Sequence, residues 1–263
     1  WVVKSPGVVF ALAAAIRAFS KEGESILIQQ PVYHPFANVI KANERKLVVN
    51  QLVCEDGVYR MDYADFEKKI VEEEVKVFLL CSPHNPVGRV WTREELQRVG
   101  DICLKHKVLV VSDEIHCDFT YPGYQHLVYA SLGQVYADNS IVCTAPSKTF
   151  NLAGLQASNI WIPNPTIREQ FQKEIAKTGY SDLNTCGLAA CQAAYAYGGE
   201  WLEELKEYLT GNLEFVRTFL KENLPQIHLI EPQGTYLLWV DFRELGLSAE
   251  ELNQLLVEKA HMW

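Results

Sequence analysis

The chain has 263 residues, 48% of them apolar and 22% charged, with a formal net charge of −9. That is enough chain for one large core or two domains, and nothing in it reads as disordered. No cluster of Lys and Arg offsets the acidic balance, which excludes a phosphate-neutralising nucleic-acid surface, and the apolar stretches break off well short of the ~20 residues a membrane span needs.

In chain order, Trp1-Val2-Val3-Lys4-Ser5-Pro6-Gly7 runs without Met straight into an apolar-rich helix pattern. Ile26–Ile28, Leu47–Val49, Val77–Leu80, Val108–Val111, Ile141–Thr144 and Asn159–Ile162 are short β-branched runs that predict strands. Between the third and fourth of these, Thr92 and Glu95 spell a capping box, and Leu96, Val99, Ile102 and Cys103 follow at helical spacing. Strand, helix and strand at this spacing predict a right-handed βαβ unit with parallel strands. After Pro165 helical periodicity takes over, in 166–177, 185–197 and 200–223. The last is rich in Glu and aligns Leu202, Leu205, Leu209, Leu213, Val216 and Leu220 on one face, as a spine between two domains would. His228–Ile230 and Tyr236–Val240 predict strands of a smaller unit, and Ser248 caps a final helix.

The fold class is therefore α/β, doubly wound, a three-layer sandwich with a mostly parallel sheet. The expected division is a large domain over residues 1–200 and a linking helix with a partial small α/β domain over 201–263. Both ends read as cut, so part of the large domain is expected to precede Trp1. Seven scattered cysteines, odd in number and without a CxxC pair, read as free thiols inside elements. With no leader before the first helix, they point to the cytoplasm.

In such a sheet, ligands gather beyond the carboxyl ends of the strands. Pro31-Val32-Tyr33, Cys81-Ser82-Pro83-His84-Asn85-Pro86-Val87-Gly88, Asp113-Glu114-Ile115-His116 and Ser147-Lys148 all follow predicted strands. One strand end delivers an amine and another a carboxylate. An amine that can form a Schiff base, opposite an acid that can pair with a pyridinium nitrogen, is what pyridoxal phosphate chemistry requires. Taken singly, Lys148 reads as a surface lysine, Asp113 as a turn or cap acid, Tyr33 as a core aromatic and His84 as a hydrogen-bonded loop residue. Cys81, Asp113, Glu114, His116 and Asp118 imitate a metal cluster, but Asp-x-x-His on a strand end splits its side chains between faces, so no metal is expected.

Asn85-Pro86-x-Gly88, Asp113-Glu114-Ile115-His116 and Ser147-Lys148-x-Phe150-Asn151 together resemble the fold-type I, aspartate-aminotransferase-like pyridoxal phosphate enzymes. The spellings from Asp113 to Asp118, from Lys148 to Leu155 and in Pro31-Val32-Tyr33-x-Pro35-Phe36 resemble the MalY/PatB group, the cystathionine β-lyase-like C–S lyases. That resemblance implies that Lys148 carries pyridoxal 5'-phosphate and acts as the base at the substrate Cα. It implies that Asp113 pairs with the ring nitrogen, that Asn85 donates to the ring oxygen with His116 close by, and that Tyr33 stacks on the ring. Ser147 and the amides at Gly7 and Val8 would hold the phosphate, the latter as a helix N-terminus does. Gln156 stands where many aminotransferases of this fold place an Arg, which favours carbon–sulfur lysis over transamination.

The implied activity is β-elimination from cysteine conjugates such as cystathionine. An aminotransferase and a catalytically idle regulatory domain are the alternatives. The resemblance also implies an amino-acid substrate, a homodimer with a shared active site, and a substrate-carboxylate Arg beyond Trp263.

Overall fold

The apolar runs of the sequence become the strands of one sheet. The computed structural model describes residues 1–262; Trp263, the end of the expected second domain, lies outside the described residues. Eleven strands occur among them, Val2–Ser5 (β1), Ser25–Gln30 (β2), Lys46–Gln51 (β3), Val53–Glu55 (β4), Val58–Arg60 (β5), Val77–Cys81 (β6), Leu109–Asp113 (β7), Ser140–Thr144 (β8), Ser158–Trp161 (β9), His228–Ile230 (β10) and Trp239–Asp241 (β11). The helices are Val8–Phe19 (α1), His34–Ala42 (α2), Tyr63–Glu72 (α3), Arg93–Lys105 (α4), Gln134–Ala137 (α5), Pro146–Thr149 (α6), Pro165–Ala176 (α7), Thr185–Tyr197 (α8), Gly199–Asn223 (α9) and Ala249–Gln254 (α10).

Seven strands form the main sheet in the order β1-β9-β8-β7-β6-β2-β3. From β3 to β8 neighbouring strands run parallel, whereas β9 is antiparallel to both β8 and β1. The central strands are buried along their whole length because helices cover both faces. On one face Ile26, Ile28, Val77, Leu79, Leu109 and Val111 pack with Leu12 and Ile16 of α1, Phe36 of α2 and Phe171 of α7. On the other, Leu27, Phe78, Leu80 and Val110 pack with Phe66 of α3, Leu96 and Val99 of α4, and Tyr129. Each such buried side chain stabilises the fold by roughly 1.5–3 kcal/mol relative to exposure. The three-layer α/β sandwich expected from the sequence is the observed architecture.

Strand parity then fixes the site. Cys81 and Asp113 share the phase of Leu79 and Val111, so both stand on the α1 side at the carboxyl edge of the sheet. The register pairs them directly across β6 and β7.

Two features, β1 and the β4–β5 hairpin, were not singled out in the sequence, and one expected strand is corrected. Val2–Ser5, ahead of α1, pairs with β9, with Val3 and Ser5 turned inward. A hairpin, β4–β5, joins β3 to α3 through Asp56-Gly57, both at positive φ (49° and 74°). The strand expected at Tyr236–Val240 begins only at Trp239, because Thr235 adopts φ 68°, its hydroxyl accepts from the Leu237 amide, and the Tyr236 ring turns into an aromatic cluster. The capping boxes at Thr92/Glu95 and Ser248/Glu251 both form. Along α9, Leu213 is buried, while Leu202, Leu205, Leu209, Val216 and Leu220 are half-buried.

Candidate active site

A cleft of about 120 Å³ opens at the carboxyl edge of the sheet, lined by Val8, Val9, Tyr33, Cys81, Asn85, Asp113, Ile115, His116 and Lys148. The strand ends of β2, β6, β7 and β8 and the first turn of α1 therefore converge on one space. Of the eight residues singled out in the sequence, Val8, Tyr33, Asn85, Asp113, His116 and Lys148 line it. Gly7 and Ser147 immediately precede lining residues, at the start of α1 and within α6, and do not themselves line the cleft. Gly7 caps α1 at φ 107°, a backbone angle that side-chain-bearing residues rarely adopt.

Asp113 is the electrostatic centre of the cleft. Its carboxylate is buried, and among the described residues its one side-chain hydrogen bond comes from the Ile115 amide, at 3.1 Å. Burial pushes its pKa up to about 7; the neighbouring Glu114 carboxylate adds to the rise, while the Ile115 amide and Lys148 oppose it. Among the described residues no cation bonds to Asp113 directly, Lys148 acting on it only through space. Glu114 contrasts with it: equally buried, it accepts from Ser112 Oγ, the Tyr129 amide and His126 Nε2 at 2.8–2.9 Å.

His116 is held neutral, its pKa driven down to about 4 by burial and by Lys148. Its Nδ1 is buried without a partner, and its Nε2 stands 3.5 Å from Asn85 Nδ2, at the outer limit of a hydrogen bond. Tyr236, reaching in from the segment before β11, packs its ring 5.2 Å from that of His116. Lys148 is the only cation among the lining residues. The arrangement thus offers one amine, one acid in want of a cation, and amide and imidazole groups with bonding capacity to spare.

Four residues to which the sequence analysis gave no part in the cofactor site, His84, Cys81, Gly88 and Gln233, hold these groups in place. His84 Nε2 donates to the Pro31 carbonyl, 2.8 Å away, while the Tyr33 amide donates to the Asn85 carbonyl at 3.1 Å. Two bonds therefore lace the Tyr33 loop to the Asn85 loop. His84 is buried edge-on to Trp91, and burial lowers its pKa to about 4. The Cys81 thiol accepts the Asn85 amide at 3.3 Å and sits 3.4 Å from the Pro83 carbonyl, bracing the same turn; burial raises its pKa. Gly88, at φ 72°, lets the third element, Pro232–Gly234, close on this loop, since a Cβ there would stand 3.0 Å from Pro232 Cβ. The Gln233 side chain accepts from Arg89 Nε and from the Val90 amide, both at 3.0 Å. Adjacency of His84 to Asn85 was the available signal for the histidine. Gln233 and Tyr236 carried none, because their partners lie far away in sequence.

Fold and site together define a class: a doubly wound α/β protein with a buried acid and a lysine facing one cleft at the strand ends. The family described as aminotransferase class I and II matches residues 2–263, and the chain belongs to that family. It is 45% identical to "Cystathionine beta-lyase PatB" of Bacillus subtilis (strain 168) over 255 residues, covering 97% of this chain and 66% of that protein. It is 32% identical to "Protein MalY" of Escherichia coli (strain K12) over 259 residues, 98% of this chain and 66% of that one. Among solved structures, cystalysin from Treponema denticola, which contains pyridoxal 5'-phosphate, superposes with a TM-score of 0.98 at 42% identity, over 100% of this chain and 67% of that chain. A pyridoxal-phosphate-bound C–S lyase from Staphylococcus hominis gives 0.92 at 33% identity, over 99% and 66%. The chain spans just under two thirds, 66%, of the length of these two curated relatives. Among the described residues, no helix is long and apolar enough to cross a membrane.

Proposed function

We propose that the chain is the cofactor-binding part of a pyridoxal-phosphate-dependent β-lyase that cleaves the Cβ–S bond of cysteine conjugates such as L-cystathionine. The observation that carries the reading is the convergence of Lys148, Asp113, Asn85 and His116 on one cleft, with Asp113 buried and short of a cation. The residues fit the cofactor. A protonated ring nitrogen would pair with the Asp113 carboxylate, the Asn85 amide group, only weakly engaged by His116 at 3.5 Å, would donate to the ring oxygen, and the buried His116 Nδ1 has capacity unspent. The amides at the start of α1, with Gly7 and Val8, and the Ser147 hydroxyl are the groups assigned to the phosphate.

When bound, the cofactor supplies an electron sink for the carbanion at the substrate Cα. Lys148 would hold it, and its Nζ would take the proton from the substrate Cα. Asp113 would hold the proton on the ring nitrogen, Tyr33 would cover the ring, and Asn85 would donate to the ring oxygen, with the neutral His116 beside its amide group. Thiolate departs from Cβ, and water completes the products: thiol, pyruvate and ammonia. The names of the relatives support lysis, as does Gln156, exposed and in a left-handed turn where an arginine would favour transamination.

Incubation with pyridoxal phosphate and L-cystathionine tests the reading, with pyruvate expected. Transfer of the amino group to a 2-oxo acid without pyruvate would replace it by an aminotransferase. Cytoplasmic residence and a homodimer with a shared site belong to the same proposal. The seven free cysteines support the first, and the exposed aromatic side chains of α8 and α9 support the second.

A further inference from the structure

Asp118 closes the Asp-Glu-Ile-His-x-Asp run and Thr149 follows Lys148, yet neither has a part in the chemistry above. Their side chains meet: Thr149 Oγ1 donates to Asp118 Oδ2 at 2.6 Å. A hydroxyl donating to a carboxylate oxygen at this distance makes a short hydrogen bond. Thr149 is fully buried, so its hydroxyl has no water to turn to.

The two segments it joins need holding. Lys148 stands on α6, four residues long, and a single turn has too few internal bonds to persist alone. Its downstream side is fixed by Phe150, whose ring packs 5.9 Å from both Tyr195 and Trp201. The loop after β7 folds back through amide bonds from Cys117 to the Glu114 carbonyl and from Phe119 to the His116 carbonyl, 3.0 Å each. Between that loop (residues 114–121) and the lysine turn (residues 145–152), the bond from Thr149 to Asp118 is the one side-chain hydrogen bond among the described residues.

We propose that Asp118 and Thr149 are positioning residues that set Lys148 of α6 against Asp113 and His116 of the β7 loop, so that its amine is presented to the cofactor. The inference rests on the cofactor reading above. It explains two letters of the sequence by one bond: acid at the end of the first run, hydroxyl beside the lysine in the second.

The test follows capture of pyridoxal phosphate by Lys148 in the purified protein, through the visible band of the lysine-bound cofactor and through borohydride trapping with peptide mapping. Thr149→Val keeps the shape and removes the donor; capture is expected to slow, and the cofactor to be held more weakly, by about tenfold, or about 1.4 kcal/mol. Thr149→Ser restores the hydroxyl and is expected to restore both. Asp118→Ala reaches the same bond from the other side, should the valine variant fail to fold, and the double variant is expected to add nothing to either single one. A band absent from the unmutated protein overturns the cofactor reading and the inference with it. A normal band with unchanged capture in Thr149→Val or Asp118→Ala, or serine as slow as valine, overturns the positioning role alone.

Discussion

The cleft and the long helix α9 bury opposite things. At the strand ends, Asn85, Asp113 and His116 are polar and 8%, 6% and 3% exposed, enclosed by elements from four parts of the chain. Along α9, Tyr208 and Phe215 are apolar and 67% and 69% exposed, and Leu213 is the one buried residue of the helix. Burying polar groups short of partners costs free energy, and a fold that does so concentrates the cost where chemistry needs it. Exposed aromatic side chains on one helix are where the proposed dimer contact is placed. The first region is specialised inward, the second outward.

Breaking the first region at its centre gives the largest effect. Lys148→Ala should abolish the visible band of bound cofactor and lower pyruvate formation by on the order of 10²–10⁴-fold, the range for loss of a positioned proton-transfer group. Full retention of both would show that the amine facing Asp113 is not the reacting one.

Asp113→Asn sharpens the electrostatic half. The folded pKa of Asp113, about 7, lies above its ordinary 3.8. The stability contributed by its neutral form is therefore fully present below about pH 4 and lost as pH rises through about 7. His84 and His116 run the other way: both are held at about 4, below the ordinary 6.5, so the stability of their neutral forms is present above 6.5 and lost as pH falls toward 4. Comparison with Asp113→Asn cancels the histidines. Without cofactor, the melting temperature of the unmutated protein relative to the variant should fall between about pH 4 and 7; with pyridoxal phosphate, that fall should vanish as the carboxylate gains its cation. A fall unchanged by the cofactor would separate Asp113 from the ring nitrogen.

The lacing between loops is a smaller effect. His84→Ala removes the bond to Pro31 and should cost about 1–3 kcal/mol of stability, with weaker cofactor retention. His84→Gln, which can still donate to that carbonyl, should recover part of both, as read by thermal melts and cofactor titration. Equal losses in the two variants would assign His84 to packing against Trp91 alone.

These contrasts also account for what could be read in the sequence. The parallel strands were legible because helices on both faces force continuous apolar runs such as Val77-Phe78-Leu79-Leu80. The capping box of Thr92 with Glu95 was legible because it is written within four residues, and Ser248 was legible as a cap, to which the structure adds Glu251 as a second box. The hairpin β4–β5 was missed although Asp56-Gly57 is a hairpin turn signal; its three-residue strands, half-exposed, were too short to show alternation. Tyr236 was read as part of a strand because β propensity marks an aromatic residue and not the ring it meets, and His116 lies 120 positions away in numbering. Lys148, Asp113 and Asn85 could be singled out, and they line one cleft, because each stands at or just past the end of its own strand. Asp118 and Thr149 were passed over because their meaning lies in the bond between them.

The smallest effect tests the outward region. Phe215 stacks on Phe219, its centroid 6.0 Å away, and both project from α9 with their rings largely free of the core. Phe215→Ser should therefore change the melting free energy of dilute protein by no more than about 0.5 kcal/mol, as surface substitutions do. If α9 meets a second copy, the same change should weaken self-association measurably in sedimentation velocity, because an aromatic side chain is the kind of anchor interfaces rely on. Unfolding by Phe215→Ser would collapse the distinction, making the aromatic face of α9 part of the protein's own core. A stable variant with unaltered association would leave the helix outward-facing but move the partner surface elsewhere, most directly to the aromatic side chains of α8 at Tyr195 and Tyr197.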